Sequence, residues 1–146
     1  MVEGTGLLPP IDEDAAPFFA GCRAGVLRIQ QCAVTKRLIF PPRPISPWAP
    51  DVPPTWTTVS GRGTIWSFAV PHPPLLPPFS ELAPYVVIAT ALAEDPAVRL
   101  IGNLVARPGG PIDEIGPDAF RIGDPVRAVF ERIDDAITLL RWVLDG

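Results

Sequence analysis

VSGRGTIWSFAVPHPPLLPPFSELAPYVVIATAL, running from Val59 to Leu92, decides how the rest of the chain is read. Both ends are rich in β-branched and aromatic residues, while the middle is stiffened by prolines that each fix a backbone angle. Thr55 to Ser60 and Thr64 to Val70 read as adjacent strands joined through Gly61-Arg62-Gly63, a glycine turn or bulge. Tyr85 to Leu92 is almost continuously apolar and reads as a buried strand. Pro71 to Pro84, between them, reads as a stiff lip across a barrel mouth.

Downstream, Val98 to Val105 reads as a strand after the turn Glu94-Asp95-Pro96, with Gly102-Asn103 marking a bulge or a close backbone approach. Ala106 to Phe120 is a Gly/Pro/Asp-rich loop, and Ile122-Gly123-Asp124-Pro125 is a turn. Val126 to Arg132 and Ile137 to Val143 form a hairpin around Asp134-Asp135. Upstream, Val26 to Ala33 alternates like a strand, and KRLIFPPRPISPWAP after it is a compact proline-rich loop. Asp12 to Cys22 reads as a short helix whose dipole meets Asp12, Glu13 and Asp14, stopped by Gly25. Residues 1–11 read as a tail. The chain is therefore mainly β, with five or six strands in a small closed or Greek-key barrel of the oligonucleotide/oligosaccharide-binding (OB) type. Segments 1–24, 25–54 and 55–146 are tail plus helix, proline-rich hairpin, and barrel.

Composition narrows the function. The 146 residues are one domain's worth. A net charge of −4 leaves no basic face to displace counterions from phosphates, which excludes nucleic acid. Lys36 is the sole lysine, so positive charge is carried by arginine, suited to planar pairing with carboxylate or phosphate. Mean hydropathy is +0.26, apolar for a chain that lacks any membrane-length apolar run. The first residues lack a signal peptide's basic and apolar regions. A cytoplasmic protein with an apolar partner surface is expected. Cys22 and Cys32 are expected as reduced, packed thiols.

No catalytic constellation stands out. His72, the single histidine, lies in PHPPLLPPF, and no G-x-S-x-G elbow accompanies it. It reads as a loop histidine held by a backbone carbonyl. Gly61-Arg62-Gly63 has no helix behind it and reads as a turn, not a phosphate cradle. Trp48, Trp56, Trp66 and Trp142 read as core and interface anchors.

The ordered set Phe18-Phe19, LRIQQC (27–32), PPRP (41–44), SGRGTIWSF (60–68), His72, PYVV (84–87), LIGNL (100–104) and IGDPVRAVFE (122–131) resembles a known family. It is the OB-fold, acyl-CoA-associated domain family, in which a rubredoxin-like zinc ribbon precedes an OB barrel. The resemblance spans about residues 13–132. It implies a non-catalytic scaffold or activating subunit of a thiolase-superfamily enzyme: a ketothiolase, a lipid-transfer-type thiolase, or an aldolase that shortens steroid side chains. The partner is then a thiolase-like subunit in a hetero-oligomer, and the shared ligand an acyl-CoA. A stand-alone OB module for acyl-CoA or another small ligand is the alternative.

The ribbon's two C-x-x-C pairs fall, in register, at Cys32, Thr35, Ser46 and Ala49. Structural zinc takes four good donors and contributes roughly 10–16 kcal/mol in zinc-finger peptides. One thiolate of four cannot supply that, so no zinc is expected, and Phe40, Ile45, Trp48 and the prolines are expected to hold the hairpin. For coenzyme A thioester, bound without tight cofactor retention, Arg43, Arg62 and His72 are the candidates, with Lys36 and Arg37 beside them. Phe79, Tyr85 and Trp48 are the candidate partner interface.

Overall fold

The computed structural model describes residues 8–146. The expected tail therefore lies largely outside the described residues. Ala16–Ala24 is α1. Asp12 to Ala15 form a turn ahead of it, because Asp12 Oδ1 takes the Ala15 N–H at 2.8 Å and the Asp12 carbonyl takes that of Ala16 at 3.0 Å. The helix thus begins four residues later than the sequence suggests, with no acidic residue in its first turn. Gly25 ends it at φ 78°, with the Gly25 and Val26 N–H groups on the Cys22 and Gly21 carbonyls. That pair of bonds is a Schellman motif, which glycine enters at little steric cost.

Leu27–Gln31 (β1), Leu38–Ile39 (β2) and Thr55–Val59 (β3) make a three-stranded antiparallel sheet in the order β2-β1-β3. Arg62–Ala69 (β4), Val87–Leu92 (β5), Arg99–Leu104 (β6), Pro125–Arg132 (β7) and Thr138–Leu144 (β8) close a barrel in the order β4-β5-β6-β8-β7. Closure comes from antiparallel β4–β7 pairing, Arg62↔Arg127 to Thr64↔Pro125, and a short parallel β6–β8 pairing at Asn103↔Arg141 and Leu104↔Trp142. Mainly β, a short N-terminal helix and a five-stranded OB-like barrel all stand as the sequence indicates.

The expected pairing of 55–60 with 64–70 is corrected. β3, placed by the sequence at the start of the barrel segment, lies along β1 from Leu27↔Val59 to Gln31↔Thr55. Gly61, at φ 77°, carries the chain from one sheet into the other. A bulge does occur, but within β4, where the register with β5 shifts between Ile65 and Ser67.

Leu27, Ile29 and Val59 from the small sheet share one core with Ile65, Val86, Ile88, Leu92, Leu100, Leu104 and Trp142 from the barrel. Phe18 of α1 and Phe40 pack against it, their rings 5.9 Å apart. A second cluster lies elsewhere: Tyr85, Val105, Ile112, Val129 and Val143. Leu75, Phe79, Leu82 and Ala83 cover it, so Pro71 to Pro84 straps down over a second apolar patch through its one-turn helix Phe79–Leu82 (α2).

The crossover is pinned by Glu94, whose Oε2 accepts the Ser60 N–H at 2.7 Å. Burial pushes this carboxyl up, but hydrogen bonds from the Ser60 backbone and hydroxyl outweigh it and hold it below 4.5. A carboxylate depressed on folding contributes above its unfolded pKa and loses that contribution as pH falls through the folded one. Glu94→Gln is therefore expected to flatten the acid side of the stability profile, read by urea unfolding between about pH 6 and pH 3. An unchanged profile contradicts the assignment.

Candidate functional site

The sequence-predicted polar candidates do not converge. Arg62 opens β4 and pairs with Asp145 Oδ2 at 3.3 Å, with Asp145 Oδ1 3.6 Å from Arg127 Nε. His72 follows the other end of β4, with its Nδ1 2.8 Å from the Val70 carbonyl, the backbone-held loop position expected of it. Seven strand steps at roughly 3.3 Å put about 23 Å between those ends. Arg43 lies in the loop after β2, where its N–H and carbonyl both bond the Gln30 side-chain amide, at 2.8 and 2.7 Å. Its side chain is exposed. Lys36 and Arg37 sit at the tip of the β1–β2 turn, Lys36 at φ 65°.

Of the candidate interface residues, Tyr85 is 9% exposed and its ring lies 6.0 Å from that of Phe79, both within the chain's own second cluster. Trp48 is partly exposed, with the Arg37 guanidinium 4.1 Å over its ring.

A different face carries the exposed apolar surface. Trp66, Phe68 and Ile101 are 51%, 41% and 72% exposed. Ser67↔Ala89↔Ile101 lie abreast across β4, β5 and β6, and these residues line one shallow groove of about 200 Å³ with Ala69 and Val87. The bulge leaves Trp66 outside the β5 ladder. Arg99 then covers one side of its indole at 3.8 Å, and Phe120 meets Phe68 edge-on at 5.1 Å. Rigid aromatic area framed by one arginine is the composition of an interface anchor.

A second concavity, about 360 Å³, opens between α1 and the parallel β6–β8 seam. Phe18, Phe19, Phe40, Leu100 and Leu140 make it apolar, and Asn103 and Arg141 add polar side chains to its wall. Arg141 gives Nε to Glu131 Oε2 and Nη1 to Asn103 Oδ1, both at 3.0 Å.

The ribbon positions form a hydrogen-bonded knot. Cys32 Sγ accepts the Thr35 N–H at 3.4 Å, Arg37 N–H donates to Thr35 Oγ1 at 3.3 Å, and Trp48 N–H donates to Ser46 Oγ at 3.2 Å. Cys32 and Ser46 are fully buried. Hydrogen bonds from Ser46, then Thr35, bring the Cys32 thiol down to about 6, whereas burial pushes Cys22 up to about 12. The residues do not fit zinc: Thr35 and Ser46 offer neutral hydroxyls and Ala49 only a methyl. Among the described residues no group of three or more His, Cys, Asp or Glu is placed to hold a metal. Ile45, expected to help hold the hairpin, is instead 57% exposed, two residues past the Gln30–Arg43 pairing that ties this loop to β1. The four ribbon positions came from the family resemblance; the Gln30 clamp and the Trp66 groove carried no signal in the sequence.

Among the described residues no nucleophile–base pair is assembled around His72, which bonds a carbonyl, and no helix is long and apolar enough to cross a membrane. Three comparisons bear on what such a chain is. A family model for the C-terminal OB-fold domain of ChsH2 matches residues 56–131. A solved structure described as an Ltp2-ChsH2(DUF35) aldolase superposes with a TM-score of 0.78 at 33% identity, covering 94% of this chain and 98% of that one. A probable enoyl-CoA hydratase alpha subunit of Thermomonospora curvata is 36% identical over 90% of the chain, and a 3-oxo-4,17-pregnadiene-20-carboxyl-CoA hydratase alpha subunit of Mycobacterium tuberculosis is 35% identical over 94%. The chain spans 37% and 40% of those two relatives. On sequence and on fold alike, the chain belongs to the family of the ChsH2 C-terminal OB-fold domain.

Proposed function

We propose that this chain is a non-catalytic subunit that docks on a thiolase-superfamily enzyme acting on an acyl-CoA, steroid side-chain aldolases included, and helps enclose its acyl site. The observation that carries the reading is the exposed groove of Trp66, Phe68 and Ile101. Soluble monomers rarely leave such contiguous aromatic and aliphatic area open to water. Support also comes from the solved relative described as an Ltp2-ChsH2(DUF35) aldolase and from two relatives named for CoA thioesters. Within such a complex, Arg43, Arg62 and His72 remain the polar candidates for the thioester, each at a separate edge of the chain.

Co-expression with a thiolase-like subunit from the same host tests this, read as co-elution on size exclusion. Ile101→Glu is the decisive variant. Its side chain is mostly in solvent, so stability should stay within about 0.5 kcal/mol of wild type. Burying a glutamate at an interface anchor should weaken the complex by about 2 kcal/mol, roughly 30-fold. Undiminished association refutes the assigned face.

The cavity under α1 favours the second reading, an acyl-CoA module working alone. Its volume is in the range of small-ligand sites, and its lining is apolar with the polar side chains of Asn103 and Arg141 among it. Calorimetric titration of the isolated chain with a long-chain acyl-CoA separates the two readings, since saturable binding without a partner supports only this one.

A further inference from the structure

We propose that the ribbon is closed by a sulfur-centred hydrogen-bond cluster, Cys32 with Thr35 and Ser46, which takes the place of a tetrahedral metal and makes this segment's fold independent of one. Two turns carry the ribbon positions, and each buries a side-chain acceptor, Cys32 in one and Ser46 in the other. In the first, the Thr35 N–H points at Cys32 Sγ at 3.4 Å. In the second, the Trp48 N–H points at Ser46 Oγ. Each turn therefore aims a backbone N–H, two or three residues on, at the side-chain heteroatom of its first residue.

Both hydroxyls already accept a backbone N–H. Thr35 Oγ1 takes that of Arg37 and Ser46 Oγ that of Trp48, which leaves each hydroxyl hydrogen for the Cys32 sulfur, the thiol that both side chains hold down. A polar cluster with Cys32 and Ser46 buried and satisfied in this way stiffens its surroundings and leaves no donor stranded. Two further ties join the same loops: the Gln30 amide on the Arg43 backbone, and Arg37 stacked on Trp48. These ties need not match a metal's contribution, because Leu27, Ile29 and Val59 are anchored in the barrel's own core.

Metal analysis of the purified chain is expected to find far less than stoichiometric zinc, and a chelator to leave its melting temperature unchanged. Stoichiometric zinc in the wild-type chain overturns the proposal. The combined variant Thr35→Cys, Ser46→Cys, Ala49→Cys is expected to take up cobalt with the visible bands of a tetrahedral tetrathiolate, and to melt higher with metal than without. A folded variant that stays colourless overturns the convergence of the four positions on one centre. Should that variant fail to fold, Ser46→Ala decides: it lowers the melting temperature more in the wild-type chain than in a Cys32→Ala background, where only the Trp48 N–H loses its acceptor. Equal losses in both backgrounds overturn the sulfur's role.

Discussion

Trp142→Ala is expected to lower stability by about 3–5 kcal/mol, the largest single loss in this chain, while Trp142→Phe changes it by less than about 1 kcal/mol. Trp142 is fully buried on β8 within the shared core. Its ring lies over Gly102 so closely that a Cβ there would stand 3.1 Å from the indole, which is the close approach signalled by Gly102-Asn103 in the sequence. Its Nε1–H, however, has no hydrogen-bond partner among the described residues. A stranded buried donor costs about 1–3 kcal/mol. Phenylalanine loses part of the packing but also removes that donor, and the two changes offset. Urea unfolding followed by far-ultraviolet circular dichroism measures both variants. A Trp142→Phe loss as large as the alanine loss means the Nε1–H is satisfied.

Gly63→Ala is the second large effect. A Cβ at Gly63 would lie 2.3 Å from the Ala91 carbonyl oxygen and 2.6 Å from Thr90 Cγ2. The side chain can be trimmed, but the carbonyl belongs to β5, to which β4 is zipped from Gly63↔Leu92 to Ala69↔Val87. Relief requires prising those strands apart, a loss of about 3 kcal/mol or more. At roughly 2–4 °C per kcal/mol for a chain of this size, melting falls by about 6–12 °C. Adding Thr90→Ala should recover little. Full recovery in the double variant shows that the threonine methyl, not the carbonyl, sets the limit.

Much of the barrel was legible. The β7–β8 hairpin announced itself through alternation on either side of Asp134-Asp135, and Asp134 Oδ1 indeed takes the Ala136 and Ile137 N–H groups. β5 and β6 were legible because apolar runs flank a turn in which Asp95 Oδ1 accepts the Ala97 N–H. The β3–β4 relation was not. A glycine at positive φ between two β-rich runs serves a hairpin and a crossover equally well. Only the distant β1, drawing Thr55–Val59 along its length, distinguishes them. The apolar groove escaped for a related reason. Alternation in TIWSFAV says that Ile65 and Trp66 differ in facing, but whether the outward side meets water or another chain is a property of the assembled surface. Tyr85 and Phe79 were drawn to the surface by their proline-rich setting, whereas the strap folds back and gives them a cluster of their own.

The crossover at Gly61 has a consequence for how the molecule comes apart. Because β3 runs straight into β4, and Leu27, Ile29 and Val59 sit among barrel side chains, the small sheet has no apolar interior to retain by itself. Ribbon and barrel should then behave as a single cooperative foldon. Native-state hydrogen exchange would show the Ile29 amide of β1 and the Ile88 amide of β5 opening with one free energy and one denaturant dependence. Excising residues 8–54 would leave β3 without its partner strand and the barrel with a bare flank, so the barrel is not expected to survive as an autonomous unit.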